Sequence, residues 1–351
     1  MISPVARTIS HHKGSLSSII SRAGVPLITF QAATRVIPSI YLQQPQYQRS
    51  ASIQSMRMSS NKANAGFTRD KLFDMKGRVA LITGGGSGIG LMATQALVAN
   101  GARVYITGRT QEKLDRVVEK YSEGKDSIIP LQCDISDKGQ IANLVKEIES
   151  REACLCILVN NAGISGPTMQ TEAQTAEEMK KNLFDNDKST FEDWVDVYRT
   201  NVPQLFFTTT AFLPLLQKSS QRHPGWSGTV INISSISGLV KTAQHHFSYN
   251  ASKGAANHLT RMLASEIASN KLKVRVNAIA PGVFPSEMTT GQSSEDQKSH
   301  IPKEKYAEKV PAGRPGQDDD MAQTILFFAA NQYLNGQTVA VDGGYTLAAG
   351  Q

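Results

Sequence analysis

Val79-Ala80-Leu81-Ile82-Thr83, running straight into Gly84-Gly85-Gly86-Ser87-Gly88-Ile89-Gly90, is the stretch on which the fold turns. An apolar run of strand character meets clustered glycines, and a helical pattern follows over 88–100. Glycines between a strand and a helix let backbone amides approach an anion, and the helix N-terminus adds partial positive charge. Alone, such glycines could make a flexible turn; between a strand and a helix they read as a pyrophosphate cradle. The strict G-x-G-x-x-G string does not occur.

From Arg78 onward, short β-branched runs alternate with helical patterns. Residues 79–83, 104–107, 127–131, 155–160, 229–234, 274–279 and 338–341 read as strands. Residues 88–100, 111–121, 137–150, 191–218, 248–269 and 318–330 read as helices. That alternation calls for a parallel sheet covered on both faces. The expected class is α/β: a single doubly wound Rossmann domain over 67–351, with a seven-stranded parallel sheet and helices on both faces. A disordered N-terminal extension over 1–66 precedes it. Asp318, Asp319 and Asp320 open the last helix, where carboxylates serve as caps and dipole partners rather than as a metal cluster.

The chain has 351 residues, 40% of them apolar, enough for one large domain with a substantial core. No apolar run approaches a membrane span. The net charge of +7 suggests nucleic acid until it is located along the chain. Residues 1–69 hold eight basic side chains and no acid, leaving 29 basic against 30 acidic residues for the rest. The near-neutral domain argues against RNA or DNA as a partner. The basic segment, rich in Ser, Gln and Arg, matches a mitochondrial presequence, so the matrix is the expected location. Arg49-Ser50-Ala51-Ser52 suits cleavage, and Met56 or Met58 could start a shorter cytosolic form. Cys133, Cys154 and Cys156 lack a metal-ligand pattern and read as inert core thiols in a reducing compartment.

Two further clusters carry chemistry. Tyr249-Asn250-Ala251-Ser252-Lys253 sets a phenol and an ammonium one helical turn apart, where Lys253 can acidify Tyr249. A phenol near its ordinary pKa of about 10 is a poor proton donor or acceptor at neutral pH, so a neighbouring cation suits it to carbonyl reduction. At the end of the second strand, where folds that prefer NAD place a carboxylate against the ribose, this chain has Gly108 and then Arg109. Arg109 can pair with a 2′-phosphate, so NADP(H) is the expected cofactor. The competing reading is a solvated arginine at a helix start. His245-His246 has no spaced acidic or cysteine partners, and no metal is expected.

Taken in order, Thr83-Gly84-x-x-x-Gly88-x-Gly90, Asn160-Asn161-Ala162-Gly163, Ile233-Ser234-Ser235 and Tyr249-x-x-x-Lys253 resemble the short-chain dehydrogenase/reductase family over about residues 74–347. The resemblance implies that Ser235, Tyr249, Lys253 and Asn201 are the catalytic set. Ser235 would hold the substrate carbonyl oxygen that Tyr249 protonates, with Ser234 and Ser237 as competitors. Lys253 would bind the nicotinamide ribose, and Asn201, at a helix irregularity, would position a water linking Lys253 to solvent; an ordinary buried amide is the alternative. It also implies cofactor contacts from Gly84, Ser87, Gly88, Ile89 and Gly90. Asp134-Ile135 would meet the adenine, and Asn161, Ala162 and Gly163 the adenosine ribose, though both groups could simply cap strand ends. Val283 and Ser286, after Pro281-Gly282, would hold the carboxamide, although Thr is more usual than Ser286.

The stretch 280–289 resembles the 3-oxoacyl reductases of the rhamnolipid type within that family, which makes a 3-oxoacyl thioester, possibly carrier-linked, the first expected substrate. Residues 164–200 are longer than that subgroup's and bring Glu172, Glu177, Glu178, Asp185 and Asp187 near the expected pocket rim, where an acidic carrier would be repelled. The alternatives are a small ketone, quinone or sugar-derived carbonyl, or a non-catalytic nucleotide-sensing or RNA-binding scaffold. Family members commonly form tetramers through the helices that carry Asn201 and Tyr249. Phe206, Phe207, Phe212 and Leu213 could serve that contact or the core.

Overall fold

The computed structural model describes residues 63–350. The expected presequence, its expected cleavage site and the alternative starts therefore lie outside the described residues. The boundary expected at 66/67 falls inside a short 3₁₀ turn, Ala65–Phe67.

Seven strands form one parallel sheet: β1 (Val79–Thr83), β2 (Arg103–Gly108), β3 (Ile128–Gln132), β4 (Ile157–Asn160), β5 (Gly228–Ile233), β6 (Val274–Pro281) and β7 (Thr338–Val341). Their order is β3-β2-β1-β4-β5-β6-β7, every neighbouring pair parallel. The direction of winding reverses between β1 and β4, and a crevice opens there beyond the strands' carboxyl ends. From β1 onward the α-helices are α1 (Gly88–Ala99), α2 (Gln111–Tyr121), α3 (Lys138–Arg151), α4 (Ala176–Leu183), α5 (Phe191–Asn201), α6 (Pro203–Arg222), α7 (Phe247–Ser269), α8 (Glu287–Thr290), α9 (Asp318–Ala330) and α10 (Tyr345–Ala349).

The strands read as continuous apolar runs because each is buried on both faces. Successive side chains divide between two cores. Ile82, Ile106 and Val159 pack with Leu91 of α1, Leu114 of α2 and Phe328 of α9. Leu81, Tyr105 and Leu158 pack with Ile148 of α3, Phe212 of α6 and Leu263 of α7. Burying one such side chain stabilises the fold by about 1.5–3 kcal/mol.

Two expectations need correction. The helix read over 191–218 is two helices, broken at Val202 because Pro203 has no N–H for the helical ladder and begins α6 instead. The extra length between β4 and α5 holds α4, whose N-cap Thr175 accepts from the Glu178 backbone N–H. The short junction after α9 is tied down by the buried Arg275, which donates to the carbonyls of Phe328, Ala329 and Leu334. Asp320 closes a capping box at the start of α9 and pairs with Arg314, while Asp318 pairs with Lys298, so two of the three carboxylates are occupied as expected.

Candidate active site

The glycine turn leaves β1 and enters α1 in a conformation only these residues permit. Gly88 has φ +54° and lies against Ser286; a Cβ on Gly90 would stand 2.1 Å from the Gly84 carbonyl oxygen. Ser87, the N-cap of α1, makes no side-chain cap bond, so the first amides of the helix remain open to the cleft. Asn161 locks the turn in place, its Nδ2 donating to the carbonyls of Thr83 and Gly84 at 3.0 Å. Its side chain is thus a strand-end clamp, the alternative left open for it. Arg109 follows β2, is exposed, and forms no ion pair with a carboxylate among the described residues. Asp134 accepts from the backbone N–H and hydroxyl of Ser136, which hold its carboxyl below the usual range.

At the other end, Ser235 follows β5 and accepts from the Ser237 backbone N–H at 3.1 Å, which fixes its hydroxyl. The Tyr249 phenol lines the same cavity as the Ser235 hydroxyl. Lys253 is buried, and its Nζ donates to the Ile233 carbonyl at 2.9 Å and lies 5.6 Å from the centroid of the Tyr249 ring. Burial pushes the lysine down to about 8. Burial also pushes the Tyr249 phenol up, with the Ser235 hydroxyl opposing. The spacing puts the two on one helix face, and the ammonium uses a backbone carbonyl as its hydrogen-bond acceptor.

Asn201 is buried and fully engaged. Its Oδ1 accepts from the Ile164 N–H, and its Nδ2 donates to the Ile164 carbonyl and the Ser252 hydroxyl, all at 2.9–3.0 Å. It stands behind the cavity wall and pins the loop after β4 to the helix break.

A cavity of about 630 Å³ joins the two ends. Gly84, Ser87, Gly88, Ile89, Arg109, Asp134, Ile135, Asn161, Ala162, Gly163, Ser235, Tyr249, Lys253, Val283 and Ser286 all line it, whereas Gly90 and Asn201 sit behind its surface. Ser286 is brought to the cleft with its hydroxyl engaged in capping α8.

The short chain dehydrogenase family model matches residues 78–297. The chain belongs to that family. It is 41% identical over 281 residues to the short-chain dehydrogenase/reductase PhomF of Diaporthe leptostromiformis, covering 78% of this chain and 92% of that protein. It is 34% identical to the rhamnolipids biosynthesis 3-oxoacyl-[acyl-carrier-protein] reductase of Pseudomonas aeruginosa, with 78% and 98% coverage. Among solved structures, the Pseudomonas aeruginosa RhlG/NADP active-site complex matches with a TM-score of 0.62 at 31% identity, over 78% of this chain and 98% of that one.

This dehydrogenase also places in the cavity residues that the motifs did not mark. Lys113 of α2 bonds Glu287 of α8 at 2.7 Å, and Ser293 donates to the same carboxylate, so a charged contact bridges the cleft. The spacing of Lys113 one turn after Arg109 was a usable signal; the Glu287 contact was not. Ser237, Gln244 and His246 line the cavity as well. On another part of the dehydrogenase, Cys154, Cys156 and His223 bring their ligand atoms within 4.8 Å of one another. Arg78 lies 2.5 Å from His223 Nδ1, and a guanidinium can only donate. The His223 proton therefore stands on Nε2, facing Cys154, which leaves no lone pair for a cation. Burial lifts the Cys154 thiol to about 12, in keeping with an inert core thiol.

Proposed function

We propose that this dehydrogenase is an NADP(H)-dependent carbonyl reductase acting on a ketone, with a 3-oxoacyl thioester as substrate class. The observation that carries this is the meeting of Ser235, Tyr249 and Lys253 with the open amides of α1 and the unpaired Arg109 in a single cavity. The uncapped helix start suits a pyrophosphate, and Arg109 suits a 2′-phosphate that no carboxylate at the end of β2 repels. The similarity to the rhamnolipid 3-oxoacyl reductase, and to a structure solved with NADP, supports both choices.

NADPH, when bound, supplies the hydride for the carbonyl carbon. The chain's own part is to hold and move protons. The Ser235 hydroxyl orients the substrate oxygen, and Tyr249, kept protonated by burial, donates its proton to that oxygen. Lys253, at the cavity wall, would hold the ribose hydroxyls with its ammonium. Asn201 acts as a positioning residue for the loop bearing Gly163 and Ile164.

The inserted segment favours a free thioester or small carbonyl over a carrier-bound one. The Met169 N–H donates to the His245 carbonyl at 2.8 Å, and Glu172 stands 3.7 Å from the His245 ring, so acidic chain runs beside the loop that lines the cleft. Small ketones, quinones and sugar-derived carbonyls are thus the second substrate class. Residues 1–66 are proposed to address the protein to the mitochondrial matrix; fusing them to a fluorescent reporter tests this, and a diffuse cytosolic signal would refute it.

The test of the activity is cofactor oxidation by the purified protein against a panel of 3-oxoacyl thioesters and simple ketones. NADPH should be oxidised in proportion to carbonyl, in preference to NADH. Arg109→Gln should weaken NADPH binding about 10–100-fold, the worth of a charge-assisted hydrogen bond, while leaving NADH nearly unaffected. Binding of NADPH without oxidation across the whole panel would refute the activity.

A further inference from the structure

The loop between β5 and α7 holds a polar group for which the chemistry above has no use. Ser237, Gln244 and His246 line the cavity beside Tyr249. Two of them are occupied: Ser237 Oγ donates to Gln244 Oε1, and Gln244 Nε2 donates to the Tyr345 hydroxyl of α10, both at 2.9 Å. His246 is different. Its Nδ1 is buried with no hydrogen-bond partner among the described residues. A proton on that atom would have no acceptor, so it stands on Nε2, the nitrogen left to meet a ligand. Burial, helped by neighbouring His245, pushes the imidazole below its ordinary value and keeps the ring neutral.

The backbone fixes where this ring stands. Gln244 and His245 are consecutive non-glycine residues with φ +51° and +66°. Left-handed residues of this kind persist only where contacts over-determine them, and they gather at functional sites. Here the Met169 N–H holds the His245 carbonyl from one side. Asn250 Nδ2 holds the carbonyls of Thr242 and Ala243 from the other. The His246 ring then meets Tyr249 edge to face, with centroids 6.2 Å apart.

We propose, on the carbonyl-reductase reading above, that His246 is a specificity residue whose Nε2–H donates to a second, neutral oxygen of the substrate, so that 3-oxo esters and thioesters are selected over simple ketones. The distance sets the substrate's shape. Each donor reaches its acceptor over roughly 2.7–3.2 Å, so rings this close serve two oxygens a few ångströms apart, as in a 1,3-dicarbonyl. A simple ketone leaves the imidazole N–H to water alone, whereas a second carbonyl accepts from it, and a site built to donate to that oxygen favours the ligand that carries it. A neutral ring gives a carboxylate no matching charge, which sets esters and thioesters ahead of free 3-oxo acids.

The test compares kcat/KM, with NADPH, for a 3-oxo thioester and for the matched ketone lacking the second carbonyl. Wild type, His246→Phe, His246→Leu and His246→Gln are measured. Phe keeps the ring packing on Tyr249 without a donor, Leu is a second donor-free variant, and Gln keeps an N–H. The dicarbonyl-to-ketone ratio should fall roughly 3–10-fold in Phe and Leu, the worth of one neutral hydrogen bond, and recover in part in Gln. NADPH affinity, read by cofactor fluorescence, shows which variants retain the cleft. A ratio equal in all four proteins overturns the role of His246 and leaves the reductase standing. Failure of wild type to oxidise NADPH with any carbonyl overturns both.

Discussion

Lys253 carries its ammonium into a buried position with the Ile233 carbonyl as hydrogen-bond acceptor, and burial brings its pKa down to about 8. Tyr249 moves the other way, so the phenol keeps its proton over the whole neutral range. Carbonyl reduction needs the phenol protonated and the lysine charged. Because a lysine is charged below its pKa, both conditions hold at neutral pH, and the second fails as pH rises through about 8. The pH profile of kcat/KM for reduction should therefore be level on the acid side and fall on the alkaline side with an apparent pKa of about 8. A profile that stays level through that region would show that Lys253 is held charged by contacts other than those described. Four-residue separation fixes which helix face two side chains share, but not where the end of a long, flexible side chain finds its acceptor.

Among the elements, the break between α5 and α6 and the loop after β4 are joined through one side chain. Asn201→Ala would leave the Ile164 N–H and carbonyl without their side-chain partner in a partly buried site, at about 1–3 kcal/mol, lowering Tm by several degrees in thermal unfolding. An unchanged Tm would refute this joint. A fall in turnover much larger than the Tm loss explains would instead point to the proton-supply role implied by the family resemblance. Most of the sheet was legible because its strands are buried on both faces and read as unbroken apolar runs between turn residues. The helix break is legible too, in Pro203, and α4 in the Thr175-x-x-Glu178 cap. What could not be read ahead depends on distant chain segments meeting. Lys113 and Glu287 are 174 residues apart, and the unpartnered nitrogen of His246 follows from how its loop packs, which no local pattern encodes.

At the scale of the whole molecule, the apolar residues of α5, α6 and α7 divide into two sets. Phe212 is fully buried and Leu213 packs against the same core, so these two serve the fold. Trp194, Val195, Phe206 and Met262 are 40–50% exposed and leave an apolar surface on the helices that carry the site. A homotetramer packed through these helices is the proposed assembly. On this proposal wild type should sediment as a tetramer and Phe206→Glu as smaller species, and an oligomer unchanged by the substitution would move the contact elsewhere. All of this serves one claim, that a single cleft at the sheet's carboxyl edge couples a bound dihydronicotinamide to the Tyr249 proton. Tyr249→Phe tests it most directly, since it removes the hydroxyl and leaves the ring. NADPH binding should be retained while kcat for carbonyl reduction drops by about 10²–10⁴. Turnover by Tyr249→Phe at the wild-type rate would contradict the claim.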